Sequence, residues 1–153
     1  MTEIILKLFI LITLMYLSAV DMKTMTVPGW GIGLIYMLGI LLFLYGKENI
    51  NFYLKGWIVL LISSFAIALL TKGLGGGDVK LFSALGASFG VCEALKILAL
   101  AFVLSGIFIC MILTLPIKSK KFSALKSKKE IPFVPFITLS AFLIFTENLL
   151  YCL

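Results

Sequence analysis

The chain has 153 residues, 62% of them hydrophobic, and a mean hydropathy of +1.20. A water-soluble domain of this size has nowhere to hide so much apolar surface, so this is a membrane protein. The net charge of +6 comes from 13 basic residues, all lysine, and the lack of histidine excludes a histidine base or histidine metal site.

Segments of about ten residues with alternating polarity are missing, which argues against a β-barrel and for one helical bundle. The first apolar run, 4–20, is long enough to cross a ~30 Å hydrocarbon core if Lys7 reaches toward its end. It has neither a basic start nor a small-x-small cleavage signal, so it is expected to be a retained span. Asp21-Met22-Lys23-Thr24-Met25-Thr26 reads as a polar exit. Val27-Pro28-Gly29 closes it, with proline where a starting helix does not need the N–H. The second span is 30–45, with Trp30 and Tyr45 as interface anchors. A polar turn over 46–55 leads to the third span, 56–71.

The next stretch is Leu74-Gly75-Gly76-Gly77-Asp78-Val79-Lys80-Leu81. Three consecutive glycines are costly to hold in a helix. A carboxylate then stands where the chain turns apolar again, and such a group is by default a functional-site candidate. The segment 79–91 is short, at roughly 20 Å of helix. Its Ala84, Gly86, Ala87, Ser88 and Gly90 are small enough to let helices approach closely. A fifth span follows at 94–115, then a lysine-rich loop, then a sixth span at 132–153.

Lysine placement sets the expected topology. If all six segments cross, Lys23, Lys72, Lys80 and the six lysines between 118 and 129 share one side, against Lys7, Lys47, Lys55 and Lys96 on the other. The positive-inside rule then puts the N-terminus outside and the lysine-rich loop in the cytoplasm. A re-entrant 79–91 would export that loop. The expectation is an all-α polytopic bundle of about six transmembrane helices, forming one domain over residues 1–153.

This topology returns Asp21 and Asp78, the only aspartates in the chain, to the same membrane face. Two carboxylates sharing a site cannot both ionise easily, so one holds a proton near neutral pH. The ionised member can act as general base on a water, and the protonated one as acid toward a peptide carbonyl or leaving amine. No metal and no cofactor is required. Taken singly, each aspartate also reads as an ordinary helix cap.

Gly75-Gly76-Gly77-Asp78, continued by Val79-Lys80-Leu81, resembles the GxGDxKL signature of the type IV prepilin peptidase family, membrane aspartic peptidases whose GxGD motif is shared with presenilin and signal peptide peptidase. Asp21 ahead of Val27-Pro28 resembles that family's first catalytic aspartate. Pro132-Phe133-Val134-Pro135-Phe136 is similar to the Pro-Phe-Gly-Pro-Phe segment opening its last span. Gly29 stands where the family usually has asparagine, and Val134 where it has glycine. The resemblance implies Asp21 and Asp78 as catalytic residues, with Gly75, Gly77, Lys80, Pro132 and Pro135 in support. It implies a prokaryotic plasma-membrane enzyme with its site at the cytoplasmic face. The substrate would be a prepilin or pseudopilin with a short basic leader before a hydrophobic helix. Larger members carry a zinc-binding region with paired cysteines, associated with methyl transfer. No CxxC occurs here, so the chain resembles the short, cleavage-only form that serves Tad/Flp-type pili.

Lys80 reads either as a partner for Asp78 or as an ordinary cytoplasmic-side lysine. The lysines at 118–129 would repel a basic leader, and anionic lipid headgroups are their expected partner, at about 1 kcal/mol per lysine; no nucleic-acid role is expected. Cys92, Cys110 and Cys152 are read as small packing residues. The rival function is a small transporter, channel subunit or pilus-assembly factor using the aspartates as ion or proton ligands. It would call for paired broken helices, and the sequence offers one glycine break.

Overall fold

A computed structural model describes residues 2–46, 49–71, 74–114 and 132–151. It is all-helical over these residues: α1 Thr2–Thr24, α2 Gly29–Tyr45, α3 Ile50–Thr71, α4 Gly76–Thr114 and α5 Val134–Tyr151. The lysines at 118–129 and their expected headgroup contacts lie outside the described residues, as does Cys152. Three helices, Thr2–Thr24, Ile50–Leu70 and Gly76–Ile112, are long and apolar enough to cross a membrane, and Gly29–Tyr45 and Val134–Leu150 are shorter apolar helices.

Helix ends depart from the sequence reading in a consistent direction. The residues Asp21 to Thr24, expected as a polar exit, form the last turn of α1. Likewise α3 begins at Ile50, inside the expected polar turn. Polarity marks where the bilayer ends, whereas a helix continues as long as its backbone hydrogen bonds do. α1 stops through Met25, whose N–H donates to the Asp21 carbonyl at 2.8 Å and whose φ of 53° is left-handed. That conformation is a common way to end a helix.

The segments 79–91 and 94–115 are joined without a loop in α4, but Gly90 (φ 77°, ψ 178°) breaks the helix between them. The break reverses the chain. The rings of Phe82 and Phe102 both lie against Phe133, with centroids 6.0 and 5.2 Å away, so the two are at most about 11 Å apart. A straight helix would separate them by ~30 Å. The arms 76–89 and 91–114 therefore run side by side. Only glycine accepts this φ without strain, and a side chain here would also run into the Phe52 ring.

The arm 76–89 is the pillar of the bundle, with Leu81, Phe82, Ala84, Leu85 and Phe89 all buried. The other helices gather round α4: α2, α3 and α5 contact it, and α1 bridges α2 and α5. Small residues make this possible. Gly56 of α3 and Gly86 stand backbone to backbone, with Gly90 four residues beyond Gly86 in the same contact. Gly39 of α2 meets Ser88. Tyr36 shares a 2.6 Å hydrogen bond with Ser83, and the Trp57 indole donates to Tyr36 at 3.1 Å, tying α2, α3 and α4 together. At the end of the bundle where the arms of α4 meet, Lys7 pairs with Glu93 at 3.0 Å and sits over the Phe89 ring.

Large apolar side chains cover the exterior, including Met15, Met37, Ile62, Phe65, Leu70 and Ile107, as expected where lipid replaces water. Cys92 and Cys110, expected as packing residues, are exposed. Trp30 and Tyr45 are both exposed near opposite ends of α2. An apolar groove of about 230 Å³ lies between α2 and α3, lined by Tyr36, Phe43, Tyr53 and Trp57, with Ala87 at its floor. Nine residues along a helix is about half a turn out of phase, so this groove opens on the side of the pillar opposite Asp78.

Candidate active site

Both aspartates continue a buried stripe. In α1, Ile10, Leu14, Leu17 and Asp21 follow at steps of four, three and four, and all are buried. In the arm 76–89, Asp78, Phe82, Leu85 and Phe89 repeat the same steps, and the last three are buried. Residues so spaced share one helix face, so each carboxylate heads a stripe that faces the bundle interior. Both lie at the end of the bundle away from Lys7 and Glu93. The turn that follows Asp21 brings Val27 against Gly77, the neighbour of Asp78.

Asp21 is 5% exposed. Its place in the last turn of α1 is electrostatically poor, since the carboxyl end of a helix repels negative charge. Another helix offsets this. Oδ2 accepts a 3.1 Å hydrogen bond from the Val134 N–H. This is the first amide of α5, so the carboxylate caps a helix that begins 113 residues downstream. One turn deeper, the Thr138 hydroxyl donates to the Leu14 carbonyl at 3.2 Å and fixes the register of α5 against α1.

Asp78 is half-buried in the first turn of α4, and its Oδ2 accepts from the Gly75 N–H at 3.3 Å. The third helical residue reaching back to the cap amide is the carboxylate half of a capping box. Two helix amino ends, those of α4 and α5, thus each hold one carboxylate of the candidate pair. Aligned peptide dipoles favour negative charge at both.

The supporting residues separate by role. Gly75 gives the amide that Asp78 holds. Gly77 lies against the turn after α1: a Cβ there would stand 3.2 Å from the Val27 Cβ, whereas one on Gly76 would meet nothing within 4 Å. Gly77→Ala is therefore expected to push the Val27-Pro28 turn away and slow the reaction several-fold, with Gly76→Ala near wild type. Equal effects in an activity assay would show that the Gly77–Val27 contact does not shape the site. Lys80 is exposed and makes no ion pair with Asp78 among the described residues. Pro132 and Pro135 lie on either side of the amide that holds Asp21. That amide was not legible in the sequence; the two prolines, which lack N–H groups and so leave few donors free, were the available signal.

The model of the type IV leader peptidase family matches residues 8–114, a stretch that contains both aspartates and the glycine run but ends before Pro132. No curated protein and no solved structure matches the chain.

Proposed function

Because this chain belongs to the type IV leader peptidase family, and is therefore a membrane peptidase, we propose that it removes the short leader of type IV prepilin-like precursors, using Asp21 and Asp78 as an aspartate pair. One observation carries the reading. The only two aspartates of the chain, far apart in sequence, are brought to one end of an apolar bundle, where Val27, in the turn after the helix of Asp21, lies against Gly77 beside Asp78.

In the proposed reaction one carboxylate, ionised, takes a proton from a water as the water oxygen bonds to the scissile carbonyl carbon. The other, protonated, gives its proton to the carbonyl oxygen. The tetrahedral species then collapses: the C–N bond breaks, the proton collected from water passes to the leaving nitrogen, and one hydroxyl proton of the tetrahedral carbon returns to the other carboxylate as the C=O bond re-forms. The leader departs with a new carboxyl group and the mature subunit with a free amine. The two carboxylates act as one unit, and their titration belongs to the pair.

We place the site at the cytoplasmic face, with the N-terminus outside and about six crossings. The reversal at Gly90 supports this count, since it divides α4 into two arms. The lysine asymmetry supports the orientation. The substrate class we favour is the Tad/Flp-type prepilin, whose basic leader would remain in the cytoplasm. Co-expression with such a precursor should yield the leaderless form, seen as a mobility shift and confirmed by N-terminal sequencing of the product. Full-length precursor persisting beside well-expressed protein, across prepilins of several classes, would rule the proposal out.

A further inference from the structure

We propose that the first turn of α5 is the positioning element of the aspartate pair. In this role, which rests on the peptidase reading above, the Val134 amide orients Asp21 while the Phe133 ring fixes the pillar beneath Asp78.

The start of α5 has few donors to offer. Pro135 has no N–H, and the Phe136 N–H is already taken by the Phe133 carbonyl at 3.1 Å. The Val134 amide turns to Asp21. A helix start at a membrane surface needs no such partner, because water serves. Here the partner is a buried side chain from the opposite end of the sequence, and the Val134 side chain beside it is fully buried as well. Phe133 extends the same turn to the second aspartate. Its ring contacts Phe82, which lies four residues beyond Asp78 on the same helix face, and also Phe102 of the returning arm. One turn of backbone therefore touches the helix that carries Asp21 and the helix that carries Asp78. It sets their separation and the direction in which Asp21 points. Val134 and Phe133 are positioning residues, since nothing requires them to touch substrate.

The test removes one hydrogen atom. Val134→Pro deletes the amide donor at a helix position where proline is well tolerated, while Val134→Ala trims the side chain and keeps the donor. Cleavage of a purified prepilin by full-length protein should show kcat about tenfold or more lower for Val134→Pro than for Val134→Ala, with KM within about twofold. Equal kcat for the two variants overturns the positioning role. An inactive Asp21→Asn control in the same series would leave the peptidase reading standing in that case. Wild-type cleavage by Asp21→Asn would instead overturn both. A second measurement is independent of how well Val134→Pro folds. In protein labelled with 15N-valine, the Val134 amide proton should move upfield when Asp21→Ala removes its acceptor, and an unmoved resonance overturns the proposal.

Discussion

Asp21→Asn and Asp78→Asn should each lower leader removal by at least about 10³-fold while leaving the protein folded in the membrane. The reasoning separates chemistry from structure. Asparagine has the same shape as aspartate and keeps one acceptor oxygen. The amide side chain put in place of Asp21 can therefore still accept from the Val134 N–H, and the one put in place of Asp78 from the Gly75 N–H. Each replacement weakens a cap by about 1 kcal/mol or less, too little to unfold the bundle. What neither replacement can do is exchange a proton with water or with the leaving nitrogen. Because the pair acts as a unit, the double variant should be no worse than either single one. Asp21→Ala should behave differently: it leaves the amide of the fully buried Val134 without its partner, adding about 1–3 kcal/mol of instability to the same loss of activity. The measurements are precursor-to-product ratio, amount in the membrane fraction, and thermal midpoint in detergent. Normal processing by either asparagine variant would remove that residue from the mechanism.

Gly86→Leu should have the largest effect on the fold itself. A Cβ at this position would run into the Gly56 carbonyl oxygen and stand 2.8 Å from the Leu60 Cβ. The first obstacle is backbone, which has no rotamer to turn away, so α3 must move off the pillar as a body. Overpacking a core costs about 1–3 kcal/mol when side chains can adjust, and here the adjustment breaks the contact between two helices. Gly90→Ala meets a softer obstacle in the Phe52 ring, but it also places a side chain at φ 77°, at about 1–2 kcal/mol. The expected order of thermal midpoints is Gly86→Leu lowest, then Gly90→Ala, then wild type. Gly33→Ala, with nothing within 4 Å of its added methyl group, should equal or slightly exceed wild type. Wild-type stability in Gly86→Leu would mean that α3 and α4 do not meet at these glycines.

Sequence by itself determined the class, because an apolar content of 62% has no alternative to lipid, and it singled out the two aspartates because there are no others. The glycine run, the first proline turn and the small residues of 79–91 were legible for the same reason: each acts through its own backbone or its own lack of bulk. The stripes that Asp21 and Asp78 head were also present in the spacing of Ile10, Leu14 and Leu17 and of Phe82, Leu85 and Phe89, since helical period follows from local geometry. Tertiary structure alone decided what those stripes face. The sequence separates 79–91 from 94–115, but nothing in it puts the reversal at Gly90 rather than in a short loop at 92–93, because any glycine permits a positive φ and only packing against Phe52 and Gly56 selects one that uses it. The partners of Asp21 were further out of reach. Every residue except proline carries the same backbone N–H, so an amide that holds a carboxylate 113 residues away leaves no mark on the side chain that bears it.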